Sequence, residues 1–136
     1  MMKTAAAVGI ALLVALGAGW VWGASGRSTL HDALTTAQLR ETLIEGRAAI
    51  LDARLDIYSV NFGNASKHLE AARSALRAGE SKLKDLGRQD DTTEVGKALA
   101  RIDEAQRLTG QLNQNANAVA ADAAAAIGRV IDRTPR

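Results

Sequence analysis

The chain has 136 residues, a formal net charge of +2 and no cysteine. This length favours one domain, and the absence of cysteine excludes disulfides, Cys-based zinc sites and thiol nucleophiles. A single proline and an aromatic content of 3% disfavour a β-sandwich or barrel, and the balanced charge lacks the basic, aromatic-rich surface typical of nucleic-acid-binding proteins.

The first predicted element is a membrane span. Residues 4–26 carry no charge, and as a helix they would be about 34 Å long, enough to cross a bilayer core of about 30 Å. Trp20 and Trp22 lie near the end of this stretch, where aromatic side chains anchor a span at the headgroups. We expect residues 1–27 to be an uncleaved signal-anchor and residues 28–136 to be extramembrane, with a cleaved signal peptide as the alternative.

Small residues recur at every fourth position of the predicted span, and two of them form a G-x-x-x-G pair. Such a row lets another transmembrane helix approach closely. The span contains no ionisable residue, which disfavours a proton or ion path. We expect the row to dock a transmembrane helix of another subunit or of a second copy; its members are Ala7, Ala11, Ala15, Gly19 and Gly23.

The extramembrane part is predicted to be helical almost throughout. Apolar residues recur at spacings of three and four, which predicts amphipathic helices over about 28–62, 65–86 and 93–132. In the first of them the apolar stripe is wide enough to contact two neighbouring helices. The stripe comprises Leu39, Leu43, Ile44, Ala48, Ile50, Leu51, Leu55, Ile57, Tyr58 and Phe62.

A hairpin turn is predicted at Phe62, Gly63 and Asn64. Gly63 suits a left-handed helix C-cap, and Asn64 is a good N-cap for the next helix. The predicted fold is therefore all-α: a single N-terminal transmembrane helix, followed by a three-helix antiparallel bundle or a long helical hairpin with a third arm.

The third predicted helix contains an amide-rich segment followed by an alanine-rich tail. Asparagine weakens a helix locally, and small side chains bury little apolar area. We expect this part to lie on another protein. The candidate partner-facing residues are Asn113, Asn115, Asn117, Val119 and Ala123.

No residue pattern predicts catalysis, a cofactor or a metal site. His31 and His68 are the only histidines and lie 37 residues apart, which matches no metal-binding spacing. The carboxylate pairs Glu41/Glu45 and Asp52/Asp56 are four residues apart, beside arginines at positions 40, 47 and 54. Such patterns are typical of a salt-bridged helix surface.

Three functions remain open. The leading expectation is a non-catalytic accessory subunit of a larger bacterial membrane complex, of respiratory or photosynthetic type, whose partners are integral membrane subunits and the lipid bilayer. A bacterial signal-anchor predicts an inner-membrane location with a cytoplasmic N-terminus and a periplasmic helical domain; the charge rule has little force here, because a long domain follows the span. The alternatives are a membrane-tethered homo-oligomeric coiled-coil scaffold or sensor, and a secreted helical binding protein released by signal-peptide cleavage.

Overall fold

A computed structural model describes the backbone of residues 2–136 and the side chains of residues 30–136. This part of the chain contains four helices and no strand: α1 (Met2–Tyr58), α2 (Phe62–Asp85), α3 (Gln89–Gly110) and α4 (Ala116–Asp132). The predicted all-α fold is confirmed, but the number of helices after residue 28 is four rather than three.

The chain divides into two compact units, Met1–Thr35 and Thr36–Arg136. The first unit is the N-terminal part of α1. The second contains the remainder of α1 together with α2, α3 and α4.

The unit Thr36–Arg136 is an antiparallel four-helix bundle. Turns of three, three and five residues join its helices, and such short connections make consecutive helices run antiparallel. Side-chain contacts join each helix to the next and α4 back to α1, as in Asp52–His68, Arg73–Asp103, Glu94–Arg129 and Arg40–Ile131. The bundle is therefore closed, with α1 between α2 and α4.

Each helix of the bundle contributes one apolar row to the core. The spacing of three and four residues places these side chains on one face of each helix, and burial of that face is the main source of helix stability in proteins. The largest rows are Leu39, Leu43, Ile50 and Ala53 in α1; Leu69, Ala72, Leu76 and Leu83 in α2; Val95, Ala98, Ile102 and Ala105 in α3; and Ala120, Ala123, Ile127 and Val130 in α4.

Glycines let α1 and α2 approach closely. A Cβ atom added at Gly46 would lie 2.7 Å from Cδ2 of Leu76, and one added at Gly79 would lie 3.0 Å from Cδ2 of Leu43. Each glycine therefore accommodates a leucine of the facing helix.

The α1–α2 turn lies slightly before its predicted position. Helix α1 ends at Tyr58 and α2 begins at Phe62, so Phe62, Gly63 and Asn64 are helical rather than a turn. The N-cap is Asn61, whose side chain accepts a hydrogen bond from the backbone N–H of Asn64. The left-handed residue of the turn is Val60, with φ of 60°. The predicted caps were wrong because Gly63 fits a left-handed C-cap better than the valine that occupies that role, and because Asn61 and Asn64 fit an N-cap equally well.

The predicted third helix is two helices. Helix α3 ends at Gly110 and α4 begins at Ala116, and Leu112 between them has a left-handed backbone with φ of 55°. The side chain of Asn113 accepts a hydrogen bond from the backbone N–H of Asn115, a local bond that competes with helix formation. The break folds α4 back, which buries the apolar row of α4 against the other helices.

Candidate interaction surface

Helix α1 carries a second apolar row that faces away from the bundle. Its members, called here the outer row, are Ile44, Ala48, Leu51, Leu55 and Tyr58, at alternating spacings of four and three residues. Ile44 is 47% exposed, Leu55 67% and Tyr58 82%. A contiguous row of exposed apolar side chains on a folded domain is characteristic of an interaction site.

Most of this row lies outside the core of the bundle, although Leu51 is half-buried and packs against the core. The inner face of α1 already supplies the buried residues Leu39, Leu43, Ile50, Ala53 and Ile57. The wide apolar stripe of the sequence therefore consists of two rows with the same spacing. One row packs against α2 and α4, and the other, apart from the half-buried Leu51, is left at the surface.

An arginine lies beside the outer row at every seventh residue on its α4 side. Arg40 donates hydrogen bonds to the carbonyl oxygens of Ile131 and Thr134, and Arg47 donates to the carbonyl of Ala124. The Nε of Arg54 donates to Oδ1 of Asn117. Each guanidinium has five N–H donors on three nitrogens, and these bonds use one nitrogen of each arginine. The row thus keeps a basic margin.

The opposite side of the outer row is acidic. Glu45 and Asp52 are exposed on this side. Asp52 and Asp56 each place a carboxylate oxygen 3.7 Å from a ring nitrogen of His68 on α2. The outer row is therefore an apolar stripe between margins of opposite charge.

Two shallow grooves accompany the outer row where α1 meets α4. One is lined by Leu51, Arg54, Leu55, Tyr58 and Asn117. The other is lined by Ile44, Arg47, Ala48, Leu51 and Ile131. Their walls are mainly apolar, which suits them to receive side chains of a packed helix rather than a polar small molecule.

The end of the bundle that holds the α1–α2 and α3–α4 turns exposes two more apolar side chains. Val60 is 60% exposed and Leu112 is 69% exposed, and both have left-handed backbones. Beneath the turns, Phe62 and Ala116 pack in a small apolar cluster. Left-handed φ is unfavourable for a β-branched residue such as valine.

At the other end of the bundle, one buried carboxylate holds the residues that follow α4. Asp91 accepts hydrogen bonds from Arg88 and from Arg133, two from each guanidinium, and Arg88 also donates to Oγ1 of Thr134. Burial raises the pKa of Asp91, but the hydrogen bonds and charges of the two arginines outweigh it and hold the pKa below its ordinary value. This cluster ties the end of α4 to the start of α3.

The amide segment serves the bundle itself. Asn117 donates to the carbonyl of Arg54 and accepts from its side chain, and Asn113 supports the turn described above. Ala123 is fully buried, so its prediction as a partner-facing residue is corrected. Val119 is partly buried against the core, and Asn115 is exposed.

The predicted transmembrane row, Ala7, Ala11, Ala15, Gly19 and Gly23, and the predicted anchors Trp20 and Trp22 lie outside the residues whose side chains are described. Among the described residues, no helix combines the length and hydropathy needed to cross a bilayer. The same part of the chain contains no group of three His, Cys, Asp or Glu residues able to hold a metal ion.

Sequence reasoning found the members of the outer row but assigned them to the core. The spacing alone could not separate the two rows of α1, because both alternate by three and four. The charged margins were visible in the sequence and were the signal that distinguishes them, since only the outer row has charged residues on both sides. No family model matches the chain, and no curated protein or solved structure matches it either.

Proposed function

We propose that this protein is a non-catalytic, membrane-tethered scaffold that binds a partner helix through the outer row of α1. The exposed row at coiled-coil spacing carries the proposal, because apolar residues spaced by three and four favour a packed helix as the partner. The proposal places residues 1–27 in the inner membrane of a bacterium and the bundle in the periplasm, as the sequence analysis expects.

Support for a scaffold over an accessory subunit comes from the alanine-rich tail. The alanine-rich tail was expected to lie on another protein. Residues such as Ala120 and Ala123 are instead fully buried. The largest apolar row left at the surface of the bundle is the outer row of α1. An exposed row with this spacing fits the coiled-coil alternative.

The test is native mass spectrometry of the full chain, extracted in mild detergent from the membranes in which it is expressed. We expect a complex that is lost in Leu55→Glu, because a charge in the centre of the outer row opposes burial of that row. The matched control is Ala100→Glu, which places the same charge at an exposed position of α3.

The two variants separate the possible results. A complex present in the wild type and the control but absent in Leu55→Glu supports the scaffold. A monomer in every sample contradicts the proposal. A complex that is unaffected by Leu55→Glu contradicts it as well. A water-extractable protein that lacks residues 1–25 rejects the membrane tether and favours the secreted alternative.

The accessory-subunit function remains the second candidate, and one observation favours it. Val60 and Leu112 expose apolar side chains from left-handed turns at one end of the bundle, and strained exposed positions of this kind occur at binding sites. Association that survives Leu55→Glu and is lost when Val60 and Leu112 are both changed to Asn would support this function in place of the scaffold.

A further inference from the structure

The outer row follows the heptad rule of coiled coils. In a heptad, positions a and d form the apolar seam, and e and g flank it. Placing Ala48 and Leu55 at a puts Ile44, Leu51 and Tyr58 at d. In the sequence the same spacing continues back through Glu41 and Ala37 to Leu34 and Leu30, and these two leucines are 55% and 64% exposed.

The charged margins occupy the flanking positions of this heptad. The g positions are Arg40, Arg47 and Arg54, and the e positions include Glu45 and Asp52. Every g charge is therefore basic and both of these e charges are acidic. In coiled coils, the charges at e and g decide which helices pair and in which direction.

The charges on two copies of α1 complement each other only when the two helices run parallel. In a parallel pair, each g residue faces the e residue five positions later on the other helix, which pairs Arg40 with Glu45 and Arg47 with Asp52. In an antiparallel pair, g faces g and e faces e, so that arginines would meet arginines. Like charges placed opposite each other are unfavourable.

Resting on the proposed function, we propose that the partner helix is α1 of a second copy, packed in parallel through the outer row. The symmetric interface repeats both ion pairs, since each contact made by one copy is made again by the other. Two copies anchored by their N-termini in the same membrane meet in this parallel direction.

One position opposes the pairing. Glu41 falls at an a position, where two copies of the carboxylate would meet at the seam. The continuous apolar seam of the bundle therefore runs only from Ile44 to Tyr58, about two heptads. So short a seam gives weak association in free solution, and tethering in a membrane raises the effective concentration enough to populate it.

Disulfide cross-linking tests the arrangement, because the chain has no native cysteine. Full-length Ile44→Cys and Tyr58→Cys are prepared in mild detergent and oxidised. A parallel pair brings each d position beside its own copy, so both variants form homodimers. The matched control, Ala100→Cys, lies on α3, which packs between α2 and α4, and it is expected to remain monomeric.

A mixture of the two cysteine variants reports the direction. Disulfides joining residue 44 to residue 58 in preference to 44–44 and 58–58 would establish an antiparallel pair and overturn the proposal. Cross-linking of Ala100→Cys at an equal rate would show random collision and would overturn it as well. Circular dichroism of every variant identifies misfolded protein before the comparison is made.

Charge reversal gives an independent test in the same detergent. Arg47→Glu and Asp52→Arg are each expected to weaken dimerisation about three- to tenfold, and the double variant to restore it to within about twofold. Glu41→Leu is expected to tighten the dimer about tenfold. Absence of restoration in a folded double variant, or weaker dimers in Glu41→Leu, contradicts the parallel interface.

The two proposals fail in distinguishable ways. A complex with a different protein that depends on Leu55, with no cross-link at residues 44 and 58, rejects the second copy and leaves the scaffold function intact. A monomer in native mass spectrometry rejects both.

Discussion

The inner face and the outer row of α1 have the same residue spacing but differ in burial. Ile50 on the inner face is fully buried, whereas Leu55 on the outer row is 67% exposed. Gly46 on the inner face allows a leucine of α2 to approach closely, whereas Ile44, Leu55 and Tyr58 of the outer row stay exposed. Two flanking rows of opposite charge accompany only the outer row.

The comparison shows what a heptad-like pattern can and cannot indicate. Periodicity indicates that a helix face needs a packed partner. It does not tell whether the partner lies in the same chain. On α1 that distinction follows from the neighbouring positions, because the outer row has charged residues along both of its sides.

The largest expected effect contrasts the two faces directly. Leu43→Ala removes a fully buried side chain and is expected to lower the free energy of unfolding by about 2–5 kcal/mol. Leu55→Ala is expected to change it by about 0.5 kcal/mol or less in the monomer. Urea unfolding of the full chain in detergent, at concentrations where it is monomeric, measures both. Equal losses would mean that the outer row belongs to the core.

The second expected effect concerns the cluster that keeps α4 in place beside the inner face. Asp91→Asn weakens the hydrogen bonds from Arg88 and Arg133 and is expected to cost about 1–3 kcal/mol near neutral pH. The folded-state pKa of Asp91 lies below the ordinary value of 3.8, so its stabilisation is complete above that value and is lost as the pH falls through the folded pKa.

Thermal unfolding between neutral pH and strong acid checks this prediction. The difference between wild type and Asp91→Asn should shrink as the carboxyl becomes protonated. Asp90→Asn is the matched control, because Asp90 is the exposed neighbour of Asp91. A constant difference at every pH, or an equal loss in the control, would show that the carboxylate does not hold the cluster together.

A smaller effect tests the close approach of α1 and α2 at Gly46. Gly46→Ala places a Cβ atom against Leu76, and we expect a loss of about 1–2 kcal/mol after the gain in helix propensity is subtracted. Gly96→Ala meets no atom closer than 3.9 Å and is expected to gain about 0.5–1 kcal/mol. Chemical denaturation measures both, and a gain in both variants would contradict the close approach.

The smallest effect concerns the turns, which belong to neither face of α1. Val60→Gly removes a left-handed valine and is expected to stabilise the bundle by about 0.5 kcal/mol. Leu112→Gly should act in the same direction for the same reason. Calorimetry would show a slightly higher melting temperature in each, and a lower one in both would mean that these exposed side chains support the fold.

Much of the bundle could be predicted from the sequence. The second predicted helix, over about 65–86, corresponds to α2. Its residues Leu69, Leu76 and Leu83 are buried, because their spacing gives the helix a single apolar face with charged residues elsewhere. The break between α3 and α4 was missed. The amide segment was recognised as weak helix, but propensity cannot decide between a weakened helix and a turn without knowing that folding back buries the alanines of α4.

The residues of the interaction surface could be predicted from the sequence, but their exposure could not. Its residues, such as Ile44 and Leu55, were singled out with the arginines and carboxylates beside them. Their exposure could not be predicted, because it depends on how many helices surround α1. In the structure α1 lies between α2 and α4, and α4 is a separate helix because the last predicted helix proved to be a hairpin.

The order in which the bundle closes has a consequence for synthesis. Contacts between α1 and α2, and between α2 and α3, join neighbours in sequence and can form while the chain emerges from the ribosome. Helix α4 is made after the other three helices and supplies the remaining side of the core. Until it arrives, α1 exposes part of its inner face and the outer row together. An incomplete chain is therefore most prone to aggregation when α1, α2 and α3 have formed and α4 has not.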